Sequence, residues 1–211
     1  MDNQSIGKAS AFLTGVSVLA FAASLIAGFF CDSLFACCFS SMLIALGFVP
    51  FMAALNACNS NPSHRACSIA AMCFATVYAV LVFLVYYAQC TSVRLNSGLS
   101  EEALSLISYG HLGSLFFNYD LLGYAFMALS TFLTGCILPS VDRSSRILKA
   151  LLMLHGIFFI SCFLVPLFPV FTPNTNSTVG SLLLLAWCAY FLPICVIGFR
   201  YFDHASFATK Q

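Results

Sequence analysis

Charged side chains are what this sequence has least of. Eight Lys and Arg and seven Asp and Glu among 211 residues make up 7% of the chain, against roughly 25% in an ordinary soluble domain. So few ionic groups cannot cover a water-soluble fold of this size, and lipid has to replace the missing polar surface. A formal net charge of +1 also leaves no basic field for nucleic acid. Tryptophan occurs once, at Trp187, deep in an apolar run rather than in an interfacial belt.

The signatures of common chemistries are missing too. The eleven cysteines form no C-x-x-C pair and have no histidine partner at zinc-finger spacing, so they read as small buried apolar groups. There is no H-E-x-x-H, no G-x-S-x-G and no P-loop. A retinal-type Schiff base needs a lysine in the bilayer core, whereas Lys149 stands at the edge of a span. Tyr119-Asp120 resembles one half of an intramembrane aspartyl protease pair, but no second intramembrane aspartate is present to share the proton. Glu101-Glu102 resembles the paired glutamates of membrane prenyl-protein proteases without their arginine or histidine pattern, and reads instead as a solvated helix start. No catalytic residue, metal ligand or cofactor is expected.

What the chain does have is a series of long apolar runs. Ala9 to Cys31 is 23 residues without a charge, too long for the apolar core of a signal peptide and long enough, at ~1.5 Å per residue, to cross the ~30 Å hydrocarbon layer. Continuing in this way, spans are expected at about 9–31, 34–57, 66–89, 116–138, 147–171 and 179–200. The expected fold is all-α, a bundle of six transmembrane helices forming a single integral membrane domain over 1–211. Residues 90–114 are the one sizeable polar stretch, and Ser100-Glu101-Glu102-Ala103 predicts a short interfacial helix near 100–109 with Ser100 as its N-cap. Leu104, Ile107 and Leu106 would form its apolar face. Ala20, Ser24 and Gly28 on the first span, and Ala71, Ala75 and Ala79 on the third, form small-residue stripes that let neighbouring helices approach.

Orientation follows from the basic residues. With the N-terminus inside, six spans put Lys8, Arg65, Arg143, Arg146, Lys149, Arg200 and Lys210 on the cytoplasmic side and only Arg94 outside. Both termini are therefore expected in the cytoplasm. Asn176-Ser177-Thr178 matches a glycosylation sequon on the outer side. The two halves run in opposite senses, as an inverted repeat requires, and each middle span has a late proline, Pro50 and Pro166.

Asp120 is the one acid at or inside a membrane boundary. It heads a face of the fourth span shared with Tyr124, Met127, Thr131 and Thr134, while Leu122, Phe126, Leu129 and Leu133 take the other. An acid there costs up to ~3 kcal/mol on insertion scales, so it asks for a partner. Tyr86, Gln89, Arg94 and His111 belong to the same level. Two readings stand: a ligand or proton site in an outward-opening cavity around Asp120, Tyr124 and Gln89, or an N-cap at the headgroup level. His155, ~13 Å into the fifth span, is either functional or a neutral histidine bonded to a neighbouring helix. Trp187 and Tyr190 either line an apolar pocket or simply pack.

The stretch Asp120-Leu121-Leu122-Gly123-Tyr124-Ala125-Phe126-Met127-Ala128-Leu129-Ser130-Thr131, together with the span pattern, resembles uncharacterised bacterial six-helix integral membrane proteins grouped as a domain of unknown function. That resemblance implies a bacterial inner (plasma) membrane location and imports no activity. Three function classes remain. The first is a small-molecule-binding or transport protein, whose sharper form looks like the substrate-binding subunit of an energy-coupling transporter, with Ala23 and Ala27 of the first span meeting a partner membrane subunit. The second is a structural or regulatory protein that binds another membrane protein or lipid. The third, an intramembrane enzyme, has no recognisable constellation.

Overall fold

The computed structural model describes residues 2–95, 98–109, 112–168 and 177–208, the side chains of 177 and 204–208 excepted. His111, Pro169, Asn176 of the sequon and Lys210 lie outside the described residues. Among those described there is no strand, and six helical stretches are long and apolar enough to cross a membrane.

Helix α1 (Asn3–Ala27) begins six residues before the apolar run because Asp2 caps it, its carboxylate accepting the Ser5 N–H at 2.7 Å. That bond holds the Asp2 carboxyl below its usual range. The helix ends at Ala27, short of the expected Cys31, where Phe29, Phe30 and Cys31 donate their N–H groups back to Ile26 and Ala27 in a turn. Helix α2 (Leu34–Ala57) returns antiparallel and runs unbroken through Pro50. Helices α1 and α2 pack closely on each other. A Cβ on Gly47 would stand 2.5 Å from Thr14 Oγ1 and 2.9 Å from the Thr14 backbone nitrogen, so only glycine fits. Facing it, Ser10, Thr14 and Ser17 donate their hydroxyls to carbonyls one turn back, at 2.6–2.7 Å, which satisfies them without a cross-helix partner. The stripe that packs is therefore Gly7, Ser10, Thr14 and Ser17, while of the expected stripe Ser24 is buried and Ala20 and Gly28 are exposed. Both stripes fall on three- and four-residue spacing, and the facing Gly47 is what marks the one that packs.

A 3-10 turn (Pro62–His64), capped by Asn61, leads into α3 (Arg65–Ala88), which continues as a π-helical turn over Gln89–Val93. Ala71 and Ala75 are buried, as the small-residue ridge predicts. The short helix expected near 100–109 is α4 (Glu101–Ile107), with Ser100 Oγ accepting from the Ala103 N–H. Helix α5 (Leu115–Ile137) packs on α3 and presents the predicted polar face inward, Asp120, Tyr124, Met127, Thr131 and Thr134 all being buried.

The fifth span departs most from expectation. It starts at Arg143, where Asp142 and Ser145 form a capping box that holds the Asp142 carboxyl below its ordinary range. It then breaks at Gly156 into α6 (Arg143–His155) and α7 (Ile157–Leu164), and closes in a 3-10 turn over Val165–Leu167. A Cβ on Gly156 would lie 2.8 Å from the Phe132 ring and 3.0 Å from the Met153 carbonyl, so the break is where α5 comes too close for a side chain. Pro166 sits in the terminal turn and stops the helix rather than bending it. The two prolines thus do different things in the two halves. Helix α8 (Ser177–Ala208) packs on α1 and α6 and carries Pro193 within it. The Lys8–Asp203 ion pair, at 2.5 Å, joins the start of α1 to the last turns of α8. Phe48, Tyr78 and Phe191 fill the centre, with the Phe48 and Tyr78 rings edge to face at 5.2 Å.

Candidate functional site

Asp120 is not a helix cap. Ser114 takes that role, accepting from the Phe117 N–H at 3.2 Å, which leaves Asp120 at the sixth position of α5, roughly 8 Å along the helix and turned inward. It is 2% exposed. The Tyr86 and Tyr109 hydroxyls are the polar groups that face its carboxylate, and its Oδ1 has no hydrogen-bond partner among the described residues. The Tyr78 and Tyr124 hydroxyls, also buried nearby, are likewise unpartnered. A buried carboxylate and two buried phenols lacking partners form a costly arrangement for a purely structural core.

Of the residues expected at the level of Asp120, Tyr86 faces it, whereas Arg94 and Gln89 are engaged elsewhere. Arg94 donates Nε to the Cys90 carbonyl at 3.0 Å and lies 4.9 Å over the Phe35 ring. Gln89 is 3% exposed and spends both ends of its amide on the 89–114 segment: Nε2 donates to the Ile107 carbonyl at 2.7 Å, and Oε1 accepts the Tyr109 N–H at 2.9 Å. Gln89 and Tyr86 were expected to line the cavity, and neither is in its wall. Gln89 acts instead as a tether that brings Tyr109 over Asp120. Burial raises the Tyr109 hydroxyl well above the ordinary phenol range, so it stays a proton donor. Sequence reasoning missed Tyr109, because nothing in a polar loop marks which tyrosine folds back onto the bundle.

Beside Asp120 lies a cavity of about 490 Å³ between α5, α7 and α8. Its wall includes Tyr109, Phe117, Asp120 and Tyr124 toward the 89–114 end, and His155, Trp187 and Tyr190 at its deeper end. The aromatic rings form a near-continuous lining, Tyr109 to Phe117 at 5.9 Å and Tyr124 to Trp187 at 5.6 Å between centroids. Helix α7 packs on α5 while α8 packs on α1 and α6, and no comparable packing joins α7 to α8 among the described residues. Among the described residues the cavity is therefore open on the side of the bundle. Leu183 lines it while being 59% exposed, and a Cβ on Gly180 would meet nothing within 4 Å.

His155 is wired rather than free. Trp187 Nε1 donates to its Nε2 at 3.0 Å, and its Nδ1 lies 2.8 Å from Thr131 Oγ1. The threonine hydroxyl is itself 2.9 Å from the Ala128 carbonyl, which takes its hydrogen. The geometry is that of a neutral histidine with Nδ1–H donating to Thr131. Tyr190 donates to the Leu151 carbonyl at 2.6 Å. On α1, Ala23 is exposed and Ala27 half-buried. Among the described residues no cluster of His, Cys, Asp and Glu could hold a metal ion. Compared with protein-family models, curated proteins and solved structures, the chain matches none.

Proposed function

We propose that this chain is an integral membrane protein that binds a small molecule in the cavity beside Asp120. The observation that carries the reading is a buried carboxylate with an unpartnered oxygen in the wall of an otherwise mostly apolar cavity of about 490 Å³. A volume of that size falls in the ordinary range for small-ligand sites, and intramembrane acids mark functional positions more often than packing positions. Six apolar helices support insertion in a membrane, the basic residues support cytoplasmic termini, and the cavity mouth then belongs to the outer half of the bilayer.

Asp120→Asn keeps the side chain's volume and removes its charge. It is expected to weaken small-molecule binding while leaving thermal stability in detergent close to that of the wild type. A large loss of stability, with unchanged ligand-induced stabilisation, would overturn the reading and make Asp120 a structural residue. A second reading, attachment to another membrane protein, draws on the uncovered Ala23 of α1. In that case Ala23→Leu should abolish co-purification of a membrane partner without lowering expression.

A further inference from the structure

We infer that the molecule bound beside Asp120 carries an ammonium group on an apolar body and enters from the bilayer between α7 and α8. The inference rests on the small-molecule reading above and specifies the ligand's chemistry. Among the described residues Asp120 is the only acid in the cavity wall, and no lysine or arginine lines it. The sole ion pair among the described residues is Lys8–Asp203, at the other end of the bundle. The wall thus offers an acid that a bound cation would hold ionised, and no positive group to pair with an anion, since both nitrogens of His155 are already engaged by Trp187 and Thr131.

The surroundings of Asp120 suit a cation in a second, independent way. Tyr109, Phe117, Tyr124 and Trp187 stand along the same wall, and ring faces attract ammonium groups, most strongly where water is excluded. Beyond this aromatic end the wall is apolar, with Leu121, Phe158, Cys162, Val165 and Leu184. A charged head beside Asp120 and an apolar body along α7 and α8 fill such a shape. Entry from the side follows from the sparse α7–α8 contact among the described residues, where Phe158 meets Tyr190 at 5.9 Å at the deep end, from the exposed wall residue Leu183 and from the open space at Gly180.

Trp187 is the only tryptophan and lies in the wall, so its emission reports occupancy directly. Four probes with one tail and different heads separate the chemistries: octyltrimethylammonium, octylamine, octanol and octanoate, titrated into detergent-solubilised protein at neutral pH. The ammonium probes are expected to change Trp187 emission saturably. Asp120→Asn should bind them about tenfold more weakly, while octanol is unaffected. Gly180→Phe, built into open space, should abolish the saturable response with the fold retained. If octanol or octanoate binds as tightly as the ammonium probes, or Asp120→Asn leaves them all unchanged, the ammonium assignment is overturned. The small-molecule reading survives that result as long as Gly180→Phe still blocks binding. If no probe gives a saturable response, or Gly180→Phe changes none, both fall.

Discussion

At the scale of single residues, the sequence marks polar groups in apolar runs but not whom they meet. Asp120 was legible as an intramembrane acid on a polar helix face, and the face does turn inward. Its neighbours were not legible, because Tyr109 arrives through the Gln89 tether, a contact twenty residues apart that no periodicity encodes. His155 makes the same point. Its depth was readable, but its partners come from α5 and α8. Those bonds lead to a specific expectation. His155→Phe removes the acceptor for the Trp187 N–H in a buried site, and hydrogen bonds between membrane helices are worth roughly 0.6–2 kcal/mol. The variant should lose about that much stability, and Trp187 emission should move to shorter wavelength as the indole loses its partner. His155→Gln, which can offer a carbonyl oxygen in its place, should restore part of both. Unchanged emission in His155→Phe would show that the bond does not form.

At the scale of elements, hydropathy located six spans but not where helices begin, break or touch. Polar residues continue α1 and α6 beyond the apolar runs through the Asp2 and Asp142 caps, because a helix needs capped ends rather than apolar ones. The fifth span read as interrupted late, at Pro166 and Pro169, yet it parts earlier, at Gly156, where Phe132 approaches. Glycines that look alike in an apolar run therefore differ in what they do. Gly47 is pressed against the backbone of Thr14, and an added methyl there has nowhere to go without separating α1 from α2. Gly47→Ala should cost about 1–3 kcal/mol, the usual penalty for overpacking. Gly180→Ala, in open space on α8, should be neutral to slightly stabilising, since alanine is the better helix former. Thermal unfolding of the two variants side by side checks this. Equal effects would mean that the α1–α2 contact is looser than 2.5–2.9 Å implies.

At the scale of the whole molecule, the fold has two chemically different ends. One gathers the α1–α8 ion pair, Arg65, Arg143 and Arg146, and Lys149, whose Nζ donates to the Cys136 and Leu138 carbonyls at the end of α5. The other carries α4, Arg94 as its one basic residue, and the cavity roofed by Tyr109. The cavity's place relative to these ends is set by the fold, but the side of the membrane it serves depends on orientation, which only the charge asymmetry addresses. Impermeant maleimide labelling decides it, in a background with the exposed Cys31, Cys73 and Cys136 replaced. Ser105→Cys, exposed on α4, should react in intact cells, whereas Val141→Cys, 94% exposed between α5 and α6, should react only after permeabilisation. The reverse pattern would place six of the described basic residues outside with Arg94 alone inside, contrary to the bias that orients short-looped membrane proteins. It would also turn the Asp120 cavity toward the inner leaflet, so that an ammonium ligand would have to be drawn from the cytoplasmic side.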